Sequence, residues 1–463
     1  MDLKDKKVKE DHLSFLRKGG SLSRKEQVSL VLRLSFPAIM AMISTIIMEY
    51  IDASMVGSLG SDKSASIGVV STTTWLVSGL CSSIGTGFTV GLAHRIGAGE
   101  DAEARKYVKS GFATVIAFSG LLLVISVIIH NALPGWMGAD ESISKDASDY
   151  FLIFGLSLPL MQINHTGAGM LECSGNMKLP ALLNVMMCFL DVGFNAFFIY
   201  VADMGVKGAA LGTLCAYAVG TVCILLSILV FSDKLRMRKD EHGMLDRDKL
   251  STAIRLSFPV MLSSLIMGFA YVLSTRIVSP LGNVAITANS FSITAESLCY
   301  MPGYGISHAA VTLVGQMKGA GNKREEKSFA YLTVLVGMVL MALSALLLFI
   351  FAPEMIGIMT KDEAVRELGT KILRIEAFAE PMFGASIVAE GVFRGMGKTR
   401  IPTILNLISM WCVRLPASAL VAPRYGLVGV WYVMCLELCF RGGIFIIAMW
   451  RSYRSKFEND TKM

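Results

Sequence analysis

Leu34-Ser35-Phe36-Pro37 returns 222 residues later as Leu256-Ser257-Phe258-Pro259. The same spacing relates Leu59-Gly60 to Leu281-Gly282 and Gly97-Ala98-Gly99 to Gly319-Ala320-Gly321. It also pairs Pro159 with Pro381, Gly175 with Gly397, Pro180 with Pro402 and Asn184 with Asn406. Towards the end the offset falls to 221, where Gly205 and Gly208 match Gly426 and Gly429. The chain is therefore two copies of one unit.

Each copy is too apolar for a soluble domain. Hydrophobic residues make up 53% of the chain and charged residues 17%, against about 25% charged in soluble proteins. The mean hydropathy is +0.57. Apolar runs of about 20 residues, long enough to cross a bilayer, recur at 28–56, 63–94, 106–130, 146–171, 180–200 and 206–231. In the second copy they recur at 252–278, 285–316, 326–351, 367–393, 400–421 and 427–450. The fold class that follows is an all-α polytopic membrane protein, with twelve transmembrane helices in two six-helix lobes related by a parallel internal repeat. The lobes run over 28–231 and 252–450. A polar tail (1–27), a basic linker (232–251) and a C-terminal tail (451–463) complete the chain. A duplicated helical bundle is the usual construction of a secondary transporter, with the substrate site between the halves.

The formal net charge of +7 is not a nucleic-acid footprint. Most Lys and Arg fall in the two termini and in alternate loops. Only Lys63, Lys145, Lys207, Lys361, Arg366 and Arg424 lie in the opposite loops. The positive-inside rule then puts both termini in the cytosol of a cell-membrane protein. No cleavable signal is read before the first stretch, which is too long for a signal core. The nine Cys lie in or beside the apolar stretches without metal-ligand spacing, so free, buried thiols are expected. Gly85-Thr86-Gly87 and Gly97-Ala98-Gly99 follow no strand, and no P-loop is present, so ATP drive is not indicated. The isolated His94, His165 and His308 read as packing residues, and no nucleophile–base pair suggests an enzyme.

Ionisable residues within a bilayer cost about 2.5–3.5 kcal/mol each on insertion scales, so each needs a reason. Asn184, Cys188, Asp191 and Asn195 share one face of the stretch at 180–200, spaced i, i+4, i+7, i+11. Thr45, Glu49 and Asp52 repeat the pattern at 28–56, with Asp52 reading as deeper toward the outer side than Asp191. Gln162, Asn164 and His165 add polar groups at 146–171. Two carboxylates in a partly dehydrated cavity can load a proton, or hold Na⁺ with Asn and Thr oxygens. The plainer alternative is interhelical hydrogen bonding alone. The second copy has Ser274 and Val413 where the first has Asp52 and Asp191. Duplication explains shared packing residues but not acids confined to one copy.

The second copy carries its own charges. Glu296 follows Asn289 and Ser292 on one face and precedes Tyr300, while Glu376 and Glu380 stand one turn apart before Pro381. These residues read as a wall attracting a cationic substrate or a second cation. Glu437 and Arg441, spaced i, i+4 with the acid first, read better as a structural ion pair, with Arg414 nearby in sequence space. Pro37, Pro159, Pro259, Pro302, Pro381 and Pro416 each remove a backbone hydrogen bond inside or beside a helix. Pro37 shares its stretch with Asp52, so ion loading and bending can be coupled there; a static kink is the alternative.

These residues together resemble the multidrug and toxic compound extrusion (MATE) family of antiporters. The resemblance is carried by Leu34-Ser35-Phe36-Pro37, Asp52, Ile96-Gly97-Ala98-Gly99, Gly175-Asn176-Met177-Lys178-Leu179-Pro180 and Gly208-Ala209-Ala210-Leu211-Gly212-Thr213. Arg394-Gly395-Met396-Gly397-Lys398-Thr399-Arg400-Ile401-Pro402 continues it, and it extends over about 28–450. It implies two lobes around a central cavity, and export driven by H⁺ or Na⁺. It is closer to the DinF-like branch, whose coupling site uses acids on the first and fifth helices. Asp52 and Asp191 match those positions, Asn164 matches an accompanying Asn, and Thr213 matches more weakly. The Asn this branch usually carries one turn before the second acid is Met187 here, which weakens a Na⁺ site. The NorM-like branch instead uses acids on the seventh, eighth and tenth helices, for which Glu296, Glu376 and Glu380 are the counterparts.

The expected function is a cation-coupled exporter of small amphipathic, cationic organic compounds. The coupling-ion residues are Asp52, Asp191, Asn164, Asn195 and Thr213. Glu296, Glu376, Glu380 and Tyr300 line a substrate or cation cavity, and Pro37 permits helix bending. No cofactor beyond H⁺ or Na⁺ is expected. The partners are a small-molecule substrate and the lipid bilayer, without nucleic acid or an obligatory protein. A lipid-linked precursor flippase or a dedicated single-metabolite exporter is the alternative. A flippase would require clustered Arg for pyrophosphate, for which Arg276, Arg414 and Arg441 are the candidates.

Overall fold

The computed structural model describes residues 12–236 and 247–460. The expected tails and linker lie outside it where they cover 1–11, 237–246 and 461–463. The described residues are helical throughout, without a strand. Twelve rods follow one another: α1 (Arg24–Gly57), α2 (Ser61–Ile84, continued by Thr86–Gly97), α3 (Asp101–Ile129) and α4 (Glu141–Cys173). Then come α5 (Lys178–Ala196, ending in a π turn at Phe197–Val201) and α6 (Gly205–Leu226, with a π turn at Ser227–Phe231). The second copy continues with α7 (Arg247–Val278), α8 (Asn283–Gly319), α9 (Lys323–Met359) and α10 (Glu363–Glu376 with Glu380–Gly395). α11 starts at Arg400 and α12 ends at Asp460; they meet at Gly426, whose φ of 59° breaks the rod.

Eight spans are long and apolar enough to cross a membrane, and the one at Arg400–Arg454 contains both α11 and α12. The rods that miss this measure are α4, α8 and α10. They are the rods that carry Asn164, Glu296, and Glu376 with Glu380.

The repeated glycines end helices. Gly99 and Gly321 have φ of 76° and 72°. The next residues, Glu100 and Asn322, donate backward to Arg95 O and Met317 O at 2.9 and 3.0 Å. This is a Schellman closure in both copies, and only glycine enters that conformation freely. Proline shapes two other places. The π turn at Ile408–Arg414 precedes Pro416, and α10 is interrupted immediately before Pro381. In each case the ring cannot donate, and it crowds the carbonyl four residues back.

The chain packs as two compact units: Ile43–Ser264, and Met1–Met42 with Leu265–Met463. The cuts fall inside α1 and α7 rather than in loops. They lie 222 residues apart, each five residues after the repeated proline. Equivalent clasps explain this membership. Within Ile43–Ser264, Lys249 at the start of α7 pairs with Glu103 at the start of α3, at 2.7 Å. Within the other unit, Gln27 at the start of α1 donates to Glu325 at the start of α9, also at 2.7 Å. Gln27 and Lys249 are repeat-related, as are Glu103 and Glu325.

The expected N-terminal tail is not a loose appendage over its described part. Leu16 is fully buried. Asn322 Nδ2 donates to Leu16 O and Gly20 O, Arg17 donates to Gln316, and Ser21 donates to Glu325. A composition rich in charge hid this segment because its few apolar and hydroxyl groups carry the packing. The nine cysteines are free, but Cys412 is exposed, against the expectation that all are buried. It lies in the π turn of α11, where the side chains rotate off the buried face.

The Leu-Ser-Phe-Pro repeat has unequal roles. Ser257 Oγ donates to Ile84 O at 2.7 Å and accepts from Gly87 N at 2.9 Å. It thereby satisfies the backbone at the break in α2. A Cβ on Gly87 would stand 1.9 Å from Ala253 O, so α7 can approach only a glycine there. Ser35, its counterpart, is buried with no partner for its hydroxyl.

Candidate functional site

Within Ile43–Ser264 the polar stripes of α1 and α5 face each other. Asn184 Nδ2 donates to Thr45 Oγ1 at 3.0 Å. Farther along, Asn195 Nδ2 donates to Asp52 Oδ1 at 2.9 Å and to Asp191 Oδ2 at 3.1 Å. One amide nitrogen thus bridges the two aspartates. The expectation that Asp52 lies deeper than Asp191 is corrected, because both meet the same atom. Counting residues along separate helices misses their relative tilt and starting level. Asp191 and Asn195 are each 1% exposed, whereas Asp52 is half-buried. Glu49 is exposed.

α6 closes the site from the other side. The Thr213 side chain faces the Asp191 carboxyl, and its hydroxyl donates to Ala209 O at 3.2 Å. Gly212 lies directly against Asn195. A Cβ there would stand 2.0 Å from Asn195 Oδ1 and 2.7 Å from its backbone nitrogen. Gly208, one turn earlier, lies against the backbone of Phe198 and Ile199. This small-xxx-small ridge lets α6 approach α5 closely.

Asn164 on α4 sits one turn away, next to Met187 and Gly220. A Cβ on Gly220 would be 2.8 Å from Asn164 Nδ2 and 3.1 Å from Met187 Sδ. Among the described residues, its amide makes no hydrogen bond to either aspartate. Sequence reasoning missed Gly212 and Gly220, as well as Tyr150 and Tyr217, which stand within electrostatic reach of both aspartates. The glycines were legible only as helix-packing residues, and nothing in the local pattern singles out the tyrosines.

The other unit gathers the second set of acids. Glu376 and Glu380 flank the interruption of α10, and Glu296 on α8 is close enough to interact with both. Glu376 and Glu380 are fully buried, and none of their four carboxyl oxygens has a hydrogen-bond partner. Such groups are unbalanced charge unless a cation or a proton accompanies them. Tyr300 stacks edge-on with Phe383 at 5.6 Å and with Tyr304 at 6.0 Å, next to this cluster. Among the described residues, no three His, Cys, Asp or Glu side chains converge as a metal site.

Glu437 and Arg441 form the expected buried ion pair at 2.7 Å. Arg414 approaches the same carboxylate at 3.8 Å, and Ser409 donates to it. Arg276 is exposed.

The MatE family profile matches residues 37–201 and 259–420, one match in each copy. The chain belongs to the MatE family. Of the curated MatE relatives, a probable multidrug resistance protein NorM from Thermotoga maritima is 25% identical over 430 residues, covering 90% of each chain. The uncharacterized transporter YisQ of Bacillus subtilis is 22% identical and covers 88% of this chain and 89% of its own. Among solved structures, an outward-facing multidrug resistance MATE family transporter of the MOP superfamily aligns with a TM-score of 0.89. It is 19% identical and covers 96% of this chain and 98% of its own. These likenesses extend over the whole two-copy frame, so the chain is a multi-pass membrane protein of the MatE fold.

Proposed function

We propose that this chain is a secondary active antiporter that exports small amphipathic, cationic organic compounds in exchange for H⁺ or Na⁺. The observation that carries this reading is the bridged pair of Asp52 and Asp191. Two acids held by one amide, confined to one of two duplicated copies, have no packing role that duplication requires. A carboxylate pair in a membrane helix bundle is a site for exchangeable positive charge. The name multidrug resistance protein, borne by relatives that match nearly end to end, supports organic compounds as the cargo. The buried, unpartnered Glu376 and Glu380 support a positively charged cargo or a second cation in the other unit. Coupling follows when ion and cargo favour different states of the carrier, because each then shifts the population the other binds. Both termini lie in the cytosol of a cell membrane in this reading, as the loop charges favour.

The flippase alternative loses its main support. Arg414 and Arg441 are committed to Glu437, and Arg276 stands apart as an exposed residue.

The test is efflux of a fluorescent cation from proteoliposomes under an imposed pH or Na⁺ gradient. Asp52→Asn and Asp191→Asn should each abolish gradient-driven efflux while leaving membrane insertion unchanged. Efflux retained by both variants would remove the pair from the mechanism.

A further inference from the structure

Asn195 holds a position with consequences for which cation the pair accepts. A metal cation shared by two carboxylates sits between their facing oxygens. Here those oxygens are Asp52 Oδ1 and Asp191 Oδ2, and the atom between them is Asn195 Nδ2, at 2.9 and 3.1 Å. Both oxygens accept, so the amide must present its N–H groups to them and turn its oxygen away. That oxygen points to α6, into the space left by the missing side chain of Gly212. Alkali and alkaline-earth cations are held by oxygen, and an N–H group repels them. The nearby hydroxyl of Thr213 is already donated to Ala209 O, and Asn164 does not reach the pair by a hydrogen bond.

We infer that Asn195 is the ion-selecting residue of this site: its amide nitrogen fills the bridging position between Asp52 and Asp191, and so closes the pair to Na⁺. The inference rests on taking this pair as the coupling site. A residue that touches both carboxylates decides what else can touch them. Replacing its N–H by an oxygen, or shortening it, opens the bridging position. Asn195→Asp supplies oxygen in place, and Asn195→Ser supplies oxygen with more room and a smaller perturbation of the buried site.

The experiment measures radioactive Na⁺ binding to the purified protein and Na⁺-gradient-driven efflux, for wild type, Asn195→Asp, Asn195→Ser and Asp191→Asn. Wild type should show no Na⁺ binding that depends on Asp191. At least one Asn195 variant should gain Na⁺ affinity by about tenfold or more, the scale on which groups around a metal site act. Adding Asp191→Asn to that variant should remove the gain. Na⁺ binding by wild type that disappears in Asp191→Asn would overturn the inference, whether or not the Asn195 variants fold. Folded Asn195 variants that gain no Na⁺ binding would also overturn it, while loss of pH-driven efflux in Asp191→Asn would leave the coupling-site reading standing. Efflux preserved in Asp191→Asn under both gradients would instead refute the coupling site itself, and with it the role of Asn195.

Discussion

Gly212→Ala should damage the site without touching an ionisable group. The added methyl would stand 2.0 Å from Asn195 Oδ1 and 2.7 Å from Asn195 N, whereas ordinary contact begins near 3.4 Å. The shortfalls are about 1.4 Å for the carboxamide and about 0.7 Å for the backbone. The carboxamide can swing, but the backbone can only move if α5 and α6 separate. Asn195 Nδ2 sits at 2.9 and 3.1 Å from its two acceptors, so a shift of this size takes it out of range of at least one. Overpacking costs about 1–3 kcal/mol, and a lost hydrogen bond to a charged group about 1.5–3 kcal/mol. The expected destabilisation is about 2–4 kcal/mol, since relaxation recovers part of each. Thermal melting of the detergent-purified protein measures it, beside gradient-driven efflux. Asn195→Ala in the Gly212→Ala background should be less damaging than the two single changes added together. It removes the side-chain half of the overlap and leaves the backbone half, a coupling expected of residues in contact. A Gly212→Ala protein that melts and transports like wild type, or a double variant with strictly additive effects, would refute the reasoning.

Other expectations follow from the same geometry. Arg441→Met should destabilise by about 3–5 kcal/mol, because it strips the close partner from the buried Glu437; Arg441→Met with Glu437→Gln should recover much of that loss in the same melting assay. Glu325→Ala should lower the melting temperature more than Glu103→Ala. Glu325 is 1% exposed and accepts from both Ser21 and Gln27, whereas Glu103 is about a third exposed and its ion pairs are worth about 0–1 kcal/mol. Ser257→Ala should cost about 1–3 kcal/mol by leaving Ile84 O and Gly87 N unsatisfied. The repeat-related Ser35→Ala should be neutral or stabilising, since that hydroxyl has no partner to lose; equal melting shifts for the two would contradict the assigned roles.

The sequence by itself determined the membrane class, the duplication and the set of polar faces. The reason is local: helix period, apolar run length and a 222-residue offset are all read within one stretch or between two copies. It placed Asn184, Asp191 and Asn195 on one face of α5, and Thr45 and Asp52 on one face of α1, because i, i+4, i+7 spacing fixes direction on any helix. It also identified the Glu437–Arg441 pair, which needs only one turn of helix. What it could not fix was the register between helices. That Asp52 and Asp191 meet one amide nitrogen depends on how far α1 slides and tilts against α5, and no residue count along either helix supplies that. Gly212 is the plainest case. As a letter it is one of 43 glycines, and only the approach of α6 to Asn195 makes its missing side chain the space that lets the bridge form. The unit boundaries inside α1 and α7 have the same origin. Gln27 and Lys249 each find their acid about 300 and 150 residues away in the chain, so only the folded packing, and not any local pattern, assigns the first half of each helix to its unit.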